Sequence, residues 1–268
     1  MSKLYKFLRS IALIIKQPSL LNIILDNEDA HKNAVISEYG LSKGLPTIDL
    51  LDLFPEWNES VNPFSFLDGS SLMDIALLKA FAKKYTNCNY FEIGTWRGES
   101  VANVASIAQK CFTLNLSDDE MRKANLPEQY IALHRFYSKK LSNVVHLFGN
   151  SQSYDFSALN EKFDLIFVDG SHHFQEVKSD TQNVFKLLRN KDSTILWHDY
   201  GNTPYDIRWN VLHGILKGTP PDLRKKLYRV SNTLCAIYTN LPLKSTYPDE
   251  FIEPGNNFNI NISAKKSN

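Results

Sequence analysis

Two periods of apolar residues divide the chain between residues 89 and 238. Short apolar runs at about 89–94, Cys111–Leu116, Val144–Phe148, Phe163–Val168, Thr194–Trp197, Leu227–Val230 and Leu234–Tyr238 predict strands. Segments with helical spacing at about 98–109, Asp118–Lys139, 173–189 and near 206–217 lie between them. Phe163–Val168 is apolar throughout, as expected of a central parallel strand buried on both faces. The last two strands are separated only by Ser231–Thr233, which suits an antiparallel hairpin. This alternation predicts an α/β fold: a doubly wound, mostly parallel, seven-stranded Rossmann-like sheet with one reversed strand.

Ser70 or Ser71 is placed to cap a further helix running through Lys84, with Leu72, Ile75, Ala76, Leu78, Ala80 and Phe81 on its apolar face. Three regions follow: an accessory helical lead-in over 1–68, the α/β domain over 69–242, and a polar tail over 243–268. Within the lead-in, Lys3, Lys6, Arg9 and Lys16 punctuate Leu4, Phe7, Leu8, Ile11, Leu13, Ile14 and Ile15, the pattern of a basic amphipathic helix. It lacks the small-residue cleavage site of a signal peptide. The helix is expected to dock on the body, contact a second copy of the chain, or lie on a membrane surface. No apolar run is long enough to span a bilayer.

Composition changes this picture little. The chain has 268 residues, 43% of them apolar, and a formal net charge of +1. It can bury a full core and shows no bulk attraction to nucleic acid, so the expected partner is a small molecule. Cys88, Cys111 and Cys235 have no metal-ligand spacing and are odd in number, consistent with reduced thiols of a cytoplasmic protein.

Candidate chemistry concentrates where strands end. Tyr90–Ala105 reads as a strand, a glycine turn and a helix start, with Glu92 closing the apolar run and Gly94 and Gly98 freeing the backbone. A dinucleotide turn needs a second glycine where this chain has Trp96, followed by Arg97. That favours S-adenosylmethionine (SAM), which carries no phosphate, over NAD. An ordinary strand-to-helix turn is the alternative. With its acidic residue and spaced glycines after the first strand, the segment resembles motif one of class I SAM-dependent methyltransferases.

That resemblance implies cofactor contacts from Glu92, Gly94, Thr95, Trp96, Gly98 and Ser100. It also implies an acid at the end of the second strand for the ribose hydroxyls, where this chain has Asn115 with Asp118 nearby. Ser151 and Asp155 fall in the segment that meets adenine in this family, although such a segment is also ordinary turn chemistry. Val168–Phe174 contains Asp169, Gly170, His172 and His173, and Trp197–Tyr200 contains His198 and Asp199. Adjacent parallel strands would bring these tips together. The paired motifs resemble a bacterial branch of the class that includes sugar and small-molecule O-methyltransferases and cephalosporin hydroxylase-like proteins.

Two mechanisms stay open at this point. In related branches such acids hold Mg²⁺, which would place Asp169, Asp199 and His198 around an ion, but imidazole is a poor Mg²⁺ ligand. In the metal-free reading His172 or His198 removes the acceptor's hydroxyl proton while an Asp, here Asp199, orients the imidazole. Asn202–Tyr205 approximates a motif that grips amines in amino-methyltransferases, but that motif belongs after the fourth strand; the Tyr205–Trp209 stretch could still line the acceptor pocket, with Arg208 binding an anion. The expected activity is O-methylation of a sugar or small metabolite. The rivals are a SAM-binding protein without turnover, prompted by Asn115, and a peripheral membrane or assembly factor acting through residues 3–16.

Overall fold

Successive side chains of a strand point to opposite faces, and in this chain both faces are apolar. A computed structural model describes residues 2–18, 20–21, 27–63, 69–203, 206–247 and 255–264. In strand β2 (Asn89–Ile93), Phe91 and Ile93 enter one core and Tyr90 the other; in β5 (Leu165–Val168), Ile166 and Val168 enter the first, and Leu165 and Phe167 the second. Helices therefore cover both sides. The first core is closed by α2 (Glu28–Tyr39), α8 (Phe174–Leu187) and α9 (Trp209–Gly218). The second is closed by α3 (Leu50–Leu53), α4 (Leu72–Lys83) and α5 (Glu99–Ala105). Helix α1 (Lys3–Lys16) contributes no buried residue.

The remaining strands are β1 (Thr47–Ile48), β3 (Lys110–Asn115), β4 (Val144–Phe148), β6 (Thr194–Trp197), β9 (Leu227–Val230) and β10 (Ala236–Tyr238). They complete one sheet in the order β1-β9-β10-β6-β5-β2-β3-β4. β2 to β6 run parallel, and β10 is antiparallel to both neighbours. The expected doubly wound fold with one reversed strand is thus present, with eight strands rather than seven. The added strand comes from the lead-in: β1 pairs in parallel with β9, and Leu45, Ile48, Leu50 and Leu53 are buried.

Two helices are shorter than their apolar spacing predicts. The segment expected to be helical to 109 stops at Ala105. The stretch Asp118–Lys139 breaks into α6 (Asp118–Lys123) and α7 (Glu128–Leu133), because Pro127 stands at the N-cap of the second and cannot continue the first. A small hairpin, β7 (Gly201–Thr203) with β8 (Asp206–Ile207), follows β6. Pro204 and Tyr205 of the amine-motif look-alike lie outside the described residues. Among the described residues no helix is long and apolar enough to cross a membrane.

Candidate active site

Register alone assembles the site. Ile93 of β2 pairs with Val168 of β5, and Val168 with Trp197 of β6, so the next residues, Gly94, Asp169 and His198, leave the sheet side by side. This is the carboxyl edge at the switch point, where the chain turns from β2–β4 back to β5. A cavity of about 390 Å³ opens there. Gly94–Ser100 and Asn115 line it, together with Asp169, Gly170, His172, His198 and Asp199.

The glycine turn is built for close backbone packing. Gly94 has φ +101°, and a Cβ there would collide with the Asp169 carbonyl oxygen. Gly98, at φ +82°, packs against Ser138. Trp96 stacks on Tyr130 (centroids 5.8 Å, planes 16° apart), and the Arg97 guanidinium lies 4.2 Å from its ring centroid. Arg97 in turn pairs with Glu99 at 2.5 Å. Trp96 and Tyr130 thus offer an aromatic wall to the cavity.

Glu92 does not reach this cavity. It is fully buried beneath the turn, where Ser100 Oγ (2.6 Å), Tyr90 Oη (2.7 Å) and Thr113 Oγ1 (3.1 Å) donate hydrogen bonds to it. Burial pushes its carboxyl up to about 8, helped by the nearby charge of Asp169 and opposed by the hydroxyls. The expected contact with the charged end of SAM is therefore replaced by support of the turn from below.

Asn115 does line the cavity. Its Oδ1 accepts from the Thr95 N–H (3.3 Å), and its Nδ2 lies 3.1 Å from His134 Nε2. His134 Nδ1 lies 3.2 Å from Asp118 Oδ1. Burial lowers the His134 pKa despite Asp118, so a neutral ring accepts from Asn115 and donates to Asp118. The relay fixes which end of the amide acts as acceptor.

Ser151 and Asp155 are not among the lining residues. Asp155 is exposed and caps the short turn Phe156–Ala158 through the Ser157 N–H. Ser151 sits in the loop beside Gln152, whose Nε2 donates to the buried Asp180 (3.2 Å).

The two histidines differ in kind. His198 is 8% exposed and enclosed by carboxylates: its Nε2 is 3.1 Å from Asp74 Oδ2, and its Nδ1 is 3.1 Å from Asp169 Oδ1 and 3.0 Å from Asp199 Oδ2. Burial by itself would lower its pKa, but the three acids raise it well above the ordinary value. An imidazolium so held is a poor proton acceptor, which removes His198 as the expected base. His172 is more open, with its Nε2 3.3 Å from Asp199 Oδ2. Burial lowers its pKa against the pull of Asp199 and Asp169. Its backbone carbonyl is fixed by Asn210 Nδ2 (2.9 Å).

Asp199 holds the cluster together. Burial would raise its carboxyl, yet His198 and His172 bring it down to about 2. It occupies the left-handed region at φ +53°, a conformation that costs a non-glycine residue about 1–3 kcal/mol and recurs at functional sites. Arg208 Nη2 stands 3.8 Å from its other oxygen, so this arginine faces the acid rather than an open anion pocket.

Asp74 was not singled out by sequence. It is fully buried, accepts from Ser71 Oγ (2.6 Å) and the Leu234 N–H (2.9 Å), and faces His198. In sequence it is an acid three residues after a capping serine, the ordinary dress of a helix start. Ser70, whose Oγ donates to Asp169 Oδ2 (3.3 Å), was recognised only as a cap.

Asp169, His198 and Asp199 place donor atoms within 4.8 Å of one another, a geometry able to hold a metal ion. The donor set passes a second test: His198 Nδ1 is buried with no aligned hydrogen-bond partner, although both carboxylates are at ionic distance. With Nε2 on Asp74, the ring matches a metal-ligating histidine whose far nitrogen is held by a carboxylate. Two carboxylates and an imidazole suit Zn²⁺, Mn²⁺ or Fe²⁺ better than Mg²⁺.

Residues 91–200 match the protein-family model described as a methyltransferase domain. Over that segment the chain is similar to methyltransferase domains. The match runs from β2 through Tyr200. No curated protein matches the sequence.

Solved structures that resemble it include the O-methyltransferase NovP (TM-score 0.48, 11% identity, 66% of this chain and 82% of that one). TomG, an O-methyltransferase of Streptomyces achromogenes solved with SAM, has TM-score 0.43 and 14% identity over 64% of this chain and 81% of that one. YcgJ of Bacillus subtilis has TM-score 0.36 and 18% identity over 49% of this chain, which spans about half (53%) of that protein. Identities and scores this low say nothing about substrate. The matched segment holds the doubly wound core β2–β6 and most of the cavity lining.

Proposed function

We propose that the domain transfers a methyl group from SAM to a hydroxyl of a sugar or similarly small metabolite. The observation carrying this reading is the His172–Asp199 pair, which lines the same cavity as the Gly94–Ser100 turn. SAM, when bound, supplies a methyl group on a positively charged sulfur, which leaves as a neutral thioether once the acceptor oxygen takes the methyl. The Asn115 carbonyl is the acceptor for a ribose hydroxyl, and Trp96 with Tyr130 is the apolar surface against which the cofactor packs. Asp199 favours the His172 tautomer with its proton on Nε2, leaving Nδ1 to take the hydroxyl proton. The cavity's fixed groups do the rest by orientation.

Transfer of tritium-labelled methyl from SAM to a panel of free and nucleotide-linked sugars tests this. The native chain is expected to label at least one, and His172→Ala to lose about a hundredfold or more in rate while keeping SAM affinity. Undiminished labelling by His172→Ala would remove His172 as the base.

A second reading concerns the acid-bound imidazole. The convergence of His198 Nδ1 with the Asp169 and Asp199 carboxylates favours a divalent ion held by these three, which would supply positive charge beside the acceptor hydroxyl. Calorimetry of chelator-treated protein is then expected to show tighter binding of Zn²⁺ or Mn²⁺ than of Mg²⁺. Asp74→Asn should weaken that binding about 10–100-fold by releasing the far ring nitrogen. Heat-silent titrations with all three ions would leave the triad as an ion-paired scaffold for Asp199.

A further inference from the structure

Helix α1 is the one helix of the described chain longer than two turns with no buried residue. Wound at 3.6 residues per turn, most of its side chains sort onto two faces, with Leu13 and Tyr5 falling on the cationic side. Leu4, Phe7, Leu8, Ile11, Ile14 and Ile15 share one face, while Lys6, Arg9 and Lys16 lie opposite and Lys3 at the margin. Leu4, Phe7, Leu8 and Ile15 are each more than half exposed. An apolar face left in water is costly, and a partner of definite chemistry is implied.

Charge identifies that partner. Residues 3–16 carry four basic side chains and no acidic one, so they hold +4; the whole chain is +1, which leaves −3 for everything else. A surface that takes the apolar face and attracts a segment of charge +4 must offer hydrocarbon beneath a layer of negative charge. We infer that α1 docks the chain on an anionic phospholipid surface, lying in the headgroup plane with its apolar face inserted. Pairing with α1 of a second copy would bury the same apolar face but leave eight cations on one helix pair with no acidic side chain among them. At 14 residues the helix is about 21 Å long, too short to span a bilayer and long enough to lie on one. The inference is independent of the catalytic reading: it needs only α1.

Flotation of the full chain with vesicles tests it, using pure phosphatidylcholine against phosphatidylcholine mixed with phosphatidylglycerol. The chain is expected to float with the anionic vesicles and not with the neutral ones, and to be released at about 1 M salt, where the Debye length is ~3 Å. Lys6→Glu with Arg9→Glu should weaken binding more than about tenfold. Phe7→Glu with Leu8→Glu should abolish it. None of these side chains is buried, so each variant should melt with the native chain, which keeps a loss of binding distinct from a loss of fold. Absence of flotation, or equal flotation with both vesicle types, would overturn the inference. So would a dimer in sedimentation that Phe7→Glu with Leu8→Glu dissociates.

Discussion

A carboxyl group sealed beneath the Gly94 turn titrates far from its ordinary range, and this makes Glu92 a sensitive reporter. Its pKa in the folded chain is about 8 against an ordinary 4.5. Between those values the native state keeps a proton that the unfolded chain has lost, so stability contributed by this group is full below about 4.5 and declines as pH rises toward 8. Glu92→Gln is neutral throughout and can still meet Ser100 and Thr113. Urea unfolding midpoints measured across that window should fall with pH in the native chain and fall less steeply in Glu92→Gln. Parallel curves would show that Glu92 is ionised where it sits. The sequence places an acid at the end of β2 correctly, but it does not reveal that three hydroxyls close over it.

At the scale of elements, the contact between the β2 and β5 tips sets the site. Gly94 is required there because its backbone lies at φ +101° against the Asp169 carbonyl. Gly94→Ala should cost at least about 3 kcal/mol through left-handed strain and the clash with that carbonyl. A shift of the unfolding midpoint well below that of the native chain checks it, and an unchanged midpoint would mean that the tips can separate freely. The central strands were legible because each is an unbroken apolar run with its own turn signals. β1 was not: a two-residue strand pairing with β9, far away in sequence, leaves no local pattern. The same reasoning applies to side chains. Asp169, His198 and Asp199 could be brought together from strand order alone. Asp74, which grips His198, and His134, which orients Asn115, come from helical or irregular segments whose approach only the tertiary fold decides.

Across the whole molecule, chemistry and charge occupy separate places. The carboxyl edge of the sheet gathers the glycine turn, the Asn115 relay and the histidine–carboxylate cluster around one cavity. Helix α1 carries +4, against −3 for the rest of the chain. The account depends most directly on what that cavity binds. Calorimetric titration of the native chain with SAM, with NAD as control, measures this. Micromolar SAM binding is expected, with no NAD binding and roughly tenfold weaker SAM binding in Asn115→Leu, which loses the amide carbonyl. Absence of heat with SAM, or tighter binding of NAD, would contradict it.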